Sequence, residues 1–219
     1  MQKVVDSQKN NSINSMTMRY TFILLFLCLF SCKKSNNTDK FRTYTSHSIN
    51  MLEDSIYLPQ KFIATGIEEH IKRIEEYDKS DTLSIFNYKN LKNVQESGVM
   101  VDLFFNKKNI KNTIALIESQ KMDLNKKMAL DYANYLQMHK FPEDQEILGV
   151  KSKILEKEFH PLSFAEAIKV KFSQEKDTSL FYFDQYMISY RGKAFALIVR
   201  DNELNEYDDI LKSFGESHN

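Results

Sequence analysis

The chain has 219 residues with 30 basic and 30 acidic side chains, so it carries no formal net charge at neutral pH. A protein that grips nucleic acid needs a basic face, and this balance, without a long block of one sign, argues against such a partner. Tryptophan is absent, but 11 Tyr and 16 Phe supply bulk for a β-containing core, and the five glycines form no phosphate-cradling or dinucleotide fingerprint.

Residues 1–17 are polar and Asn-rich and push the first apolar run away from the N-terminus; Met16 or Met18 makes a more ordinary start, so this leader is expected to be an over-long gene prediction. From Met18 to Cys32 the layout is that of a secretory signal peptide: basic Arg19, an unbroken apolar run from Phe22 to Phe30, small Ser31, then Cys32. The run is about 10 residues long, whereas a spanning helix needs roughly 20. Leu29-Phe30-Ser31-Cys32 resembles a bacterial lipobox. That resemblance implies cleavage before Cys32, acylation of its sulfur and stable anchoring by several acyl chains. The competing reading is a plain secreted protein cut nearby. Cys28 leaves with the signal peptide, so the mature chain has no free thiol for disulfides, nucleophilic chemistry or metal ligation.

Removing residues 1–31 from 219 leaves 188, enough for one domain with a proper core. Lys3, Lys9, Arg19 and Asp6 fall in the discarded part, leaving 27 basic and 29 acidic residues. Residues 32–50, the expected lipidated cysteine and a polar tether, precede a single domain over 51–219.

Within the domain, Asp54 to Pro59 reads as a short strand that Pro59 closes. Gly66 precedes a helix over Ile67 to Asp78, with Ile67, Ile71, Ile74 and Tyr77 as its apolar stripe. Glu68 with Lys72, and Glu69 with Arg73, stand in the favourable i,i+4 order. A second helix is expected over Asp81 to Glu96, on Leu83, Phe86, Leu91 and Val94. Val99 to Asn106 alternates as a strand, Lys107 to Asn112 reads as a polar turn, and Thr113 to Glu118 as the partner strand. Asp123 is a natural N-cap for the longest helix, Leu124 to His139, with Met128, Leu130, Ala133, Tyr135 and Leu136 as its apolar set; Pro142 is expected to end it. The last third is strand-rich: Val150 to Phe159, Ala165 to Phe172, then Thr178 to Tyr190 and Lys193 to Arg200 as a hairpin about Arg191-Gly192. Lys169 and Lys171 alternate with Ile168, Val170 and Phe172, which predicts one wet and one buried face. Glu203 to Phe214 is the expected closing helix. Helices separated from runs of strands define an α+β fold, an antiparallel sheet of about five to seven strands with helices packed on one face.

The hairpin is the candidate ligand face. With Tyr190 opposite Lys193, Tyr182, Tyr186 and Tyr190 share a face with Phe195, and Asp184 joins them opposite Val199. A carboxylate among aromatics is a candidate raised-pKa acid or ligand anchor, weighed against plain cross-strand packing with Asp184 at a wet edge. The five histidines lack metal-ligand spacing, with His47 and His218 in tails, His70 on a solvated helix face and His160 before Pro161 at a turn. Neighbouring acidic pairs such as Glu68/Glu69 point about 100° apart on a helix and do not converge on one bond. No nucleophile motif occurs, so no catalytic residue, metal or cofactor is expected.

The Ser55-Ile56-Tyr57-Leu58-Pro59 strand, the segments Tyr182 to Ser189 and Phe195 to Val199, and Asp208-Asp209-Ile210-Leu211 resemble the PsbP-like α+β fold. The Lys, Asn, Ile and Phe richness is similar to that of Bacteroidota lipoproteins. The resemblance implies a non-enzymatic binding or assembly module anchored by Cys32 to a membrane, the outer membrane favoured, with the domain in the periplasm or at the cell surface. The alternatives are an envelope hydrolase using Asp184 and a histidine, or an inhibitor-type lipoprotein with an envelope protein partner.

Overall fold

The computed structural model describes residues 44–162 and 165–214, all within the unit Thr43–Asn219. Cys32, His218 and the expected signal peptide lie outside these residues. The described residues form nine strands: β1 (Tyr44–Ile49), β2 (Asp54–Pro59), β3 (Phe62–Thr65), β4 (Val101–Asn106), β5 (Asn109–Ser119), β6 (Lys151–Pro161), β7 (Ala165–Lys176), β8 (Ser179–Tyr190) and β9 (Lys193–Asp201), most of them on alternating apolar residues. β1 and β2 pair as a separate hairpin, and the others form one antiparallel sheet in the order β3-β4-β5-β9-β8-β7-β6. The fold is therefore α+β, as expected.

The helices are α1 (Ile67–Tyr77), α2 (Thr82–Glu96), α3 (Lys126–Tyr135), α4 (Phe141–Leu148) and the short α5 (Asp209–Ser213), with a π turn over Leu136–Lys140 joining α3 to α4. One sheet face carries α1–α2 at the β4–β5 end, where Ile67, Ile71, Ile74 and Tyr88 pack on Leu103 and Ala115. The same face carries α3–α4 at the β6–β7 end, where Ala133, Leu136 and Phe141 meet Val170 and Phe172. The opposite face holds the larger core: Phe104, Ile114, Leu116, Tyr186, Phe195 and Leu197 lie under Ile49, Ile56 and Leu58 of the hairpin and Tyr207, Ile210 and Phe214 of the C-terminal segment.

Several expectations are corrected by this packing. Tyr44–Ile49, read as tether, is a strand, because its backbone pairs residue for residue with Asp54–Pro59. The polar turn after β4 is only Lys107-Lys108, and β5 begins at Asn109, where an irregularity in register absorbs the extra residues. Asn125, not Asp123, caps α3, accepting the Met128 N–H at 3.1 Å. Pro142 does not end the helical segment. The π turn shifts the bonding pattern so that Phe141 N–H donates to Leu136 O, and Pro142 then falls in the first turn of α4, where its missing N–H is tolerated. Residues 203–207 are not helical, and only Asp209–Ser213 of the expected closing helix forms. Tyr77, expected inward on α1, is exposed, as are Leu130 and Tyr135 on α3.

Candidate functional site

The sheet faces decide which side chains are available to a ligand. On the hairpin-covered face the structure brings together the five residues singled out from the sequence. Tyr190 opposes Lys193 and Asp184 opposes Val199, the register expected. Their openness is corrected: Tyr186, Tyr190, Phe195 and Asp184 are buried and Tyr182 is half-buried. The β1–β2 hairpin and the C-terminal segment close over them, and β1 and residues 203–207 are the parts of this cover whose structure the sequence did not reveal. They form an internal polar clasp. Lys169, fully buried rather than wet, places Nζ 2.9 Å from Asp208 and 3.3 Å from Glu156. Lys171, also buried, donates to Asn205 O at 2.9 Å and lies 3.5 Å from Asp184. The Tyr186 hydroxyl donates to Asp208 at 2.7 Å. Burial pushes the Asp184 carboxyl up to about 6, against the pull of Lys171 and Lys169.

The histidines are likewise re-placed. His70 is buried rather than solvated, its ring edge-on to Tyr88 at 4.5 Å and beside Phe105, and neither ring nitrogen has a hydrogen-bond partner. Burial, with the Arg200 and Arg73 charges, pulls its pKa down to about 4. His47 belongs to β1 and packs on Phe104, and His160 lies within β6, 3.3 Å from Glu158, rather than in a turn. Among the described residues no group of three metal-ligating side chains comes together.

The open concavity is on the other face. The α1–α2 layer covers one end of the sheet and the α3–α4 layer the other, leaving a gap over the middle strands, with Ala115 of β5 still packed under α1–α2 and Phe183 of β8 against α3–α4. The result is a groove of about 360 Å³, within the size range of small-molecule sites. Its floor is Thr113, Ala115 and Ile117 of β5, Ile198 and Arg200 of β9, and Phe183 and Gln185 of β8. Phe86, Asn90 and Leu91 of α2 form one wall, and Tyr132, Tyr135 and Leu136 the other. Phe86 and Tyr135 are exposed at 41% and 53%, large apolar side chains left in water where the groove opens.

Polar groups are few and fixed. The Tyr132 hydroxyl donates to Gln185 Oε1 at 2.8 Å, and burial pushes its pKa up to about 12. Tyr88 and Thr113 share a hydrogen bond of 2.9 Å. Arg200, buried, donates through Nη2 to Ser84 Oγ at 2.7 Å and through Nη1 to Lys111 O at 3.2 Å. Ser84 in turn donates to Asp81, the N-cap of α2, at 2.7 Å. The arrangement holds a cation at the floor of an apolar cleft, a geometry suited to binding.

None of the groove residues was among the site residues the sequence pointed to. The legible signal is that Thr113, Gln185 and Arg200 put polar groups on the helix-facing side of the sheet, beside large apolar Ile117, Phe183 and Ile198.

No family model matches the chain, and no curated protein matches it by sequence. Among solved structures it is similar to the solution structure of cyanobacterial PsbP (CyanoP) from Synechocystis sp. PCC 6803, at 10% identity and a TM-score of 0.46, over 84% of this chain and 95% of that one.

Proposed function

We propose that the protein is a lipid-anchored binding module of the cell envelope that acts by holding a ligand in the groove over β5, β9 and β8, without chemistry. The observation that carries this reading is the groove itself: a concave, aromatic-walled cleft of about 360 Å³ with a few fixed polar groups, left open between two helix layers. The anchor rests on the signal-like segment Met18 to Cys32, whose cysteine would take the acyl chains. No helix among the described residues is long and apolar enough to cross a membrane.

A photo-crosslinking amino acid at Ile198, on the groove floor, tests the binding site in cells, with the same group at exposed Lys151 as control. An adduct formed from position 198 and not from 151 is the expected result. Equal or absent labelling at both positions would reject the groove. Cys32→Ser is expected to move the protein from membrane to soluble fractions, and unchanged membrane association would reject the anchor.

A further inference from the structure

Arg200 is 4% exposed and lines the groove, yet no carboxylate among the described residues lies within ion-pair distance of it. The acid it senses, Asp81, is reached only through the Ser84 hydroxyl and is already engaged by Lys111 Nζ at 2.9 Å. Phe181 packs 3.7 Å from the guanidinium carbon and fixes the plane of the fork. Nη1 and Nη2 have acceptors, but Nε is buried with none. A guanidinium has five N–H donors, and the Nε–H among them is unspent. A carboxylate oxygen can accept from it as a charge-assisted hydrogen bond. A buried cation without a carboxylate partner is costly, and a ligand that brings the carboxylate would offset that cost.

The remainder of the groove says what is attached to that anion. Tyr132, Phe141, Phe172 and Phe183 line it and Phe86 and Tyr135 stand at its mouth, surfaces that favour offset or edge-on contact with a flat ring. Its one lining acid, Asp144, is neutralised by Lys140 Nζ at 2.8 Å and sits on α4, away from β9. Taking the groove as the binding site, we propose that it receives a small flat aromatic carboxylate, its ring system between the aromatic walls and its carboxylate on Nε of Arg200.

The test compares 2-naphthoate with neutral 2-naphthamide, titrated into the purified full-length protein by calorimetry, with Arg200 Nε–H followed by NMR. A charge-assisted contact in this setting contributes roughly 1.5–3 kcal/mol, so naphthoate is expected to bind about 10- to 100-fold more tightly. Arg200→Gln is expected to remove that preference, so that the two probes bind the variant with equal affinity. In wild type, which needs no altered fold, naphthoate is expected to shift the Arg200 Nε–H resonance and naphthamide to leave it unmoved. Equal affinities for wild type, or an Nε–H signal that ignores naphthoate, overturn the anion assignment while the groove stands. Failure of both probes to bind overturns the groove reading as well.

Discussion

His70→Phe should change how the stability of this protein depends on pH. In the native state His70 is wholly buried between Tyr88 and Phe105, with no acceptor for either ring nitrogen, and its pKa is pulled from 6.5 to about 4 by burial and by the Arg200 and Arg73 charges. A base with a depressed folded-state pKa stays neutral in the fold while the unfolded chain takes up a proton. Its contribution is therefore intact above pH 6.5 and is lost as pH falls toward 4. Between pH 7.5 and pH 5 the loss from this one group is about 2 kcal/mol, or roughly 4–8 °C in Tm for a chain of this size. Asp184 works in the opposite sense. Its folded-state pKa is raised from 3.8 to about 6, so its protonation favours the native state as pH falls through 6. Over the same interval that gain is about 1.4 kcal/mol. The two act in opposite directions in the wild type, and each variant removes one of them. Urea denaturation at both pH values reads the outcome. Relative to wild type, the variant should gain about 2 kcal/mol of stability at pH 5 over pH 7.5. A variant whose pH dependence matches the wild type would refute the burial of a neutral His70.

The mirror experiment, Asp184→Asn, removes the opposing term. Relative to wild type, its stability should fall by a further ~1.4 kcal/mol from pH 7.5 to 5, the Asp184 contribution, read by the same denaturation series, and a profile parallel to the wild type would contradict a raised Asp184. Lys169→Ala removes the buried ammonium that Asp208 and Glu156 share; the two acids keep part of their water contact, so the loss is expected at roughly 1–3 kcal/mol, whereas an exposed lysine would cost under about 0.5 kcal/mol. Thermal unfolding distinguishes the two.

What the sequence made legible was local. Asp54–Pro59 was bounded correctly because Pro59 removes a donor at its end, and the β8–β9 register followed from the two-residue turn Arg191-Gly192, both with positive φ. β1 was hidden because Thr45-Ser46-His47-Ser48 has no apolar alternation; its strand form comes from pairing with β2. Lys169 and Lys171 read as a wet face because their partners, Glu206 and Asp208, are more than thirty residues away in sequence and arrive on a non-helical segment. The same covering turned the expected ligand face around Asp184 and Tyr186 into core. The groove was invisible for a further reason: it is the gap between α1–α2 and α3–α4, and a gap is set by where layers stop. Tyr135 and Phe86, which look like ordinary core residues on their helices, are exposed because they border that gap.

The most direct test of the binding site is to fill it. Ile198 lies half-buried on the groove floor, and Ile198→Trp extends an indole into the open space without touching the hairpin-covered core. Titrating 2-naphthoate and 2-naphthamide into wild type and variant, with the Tm of each measured alongside, should show loss of binding of both compounds with Tm shifted by less than about 4 °C. Undiminished binding to a folded Ile198→Trp protein would contradict the groove as the place where this protein holds its ligand.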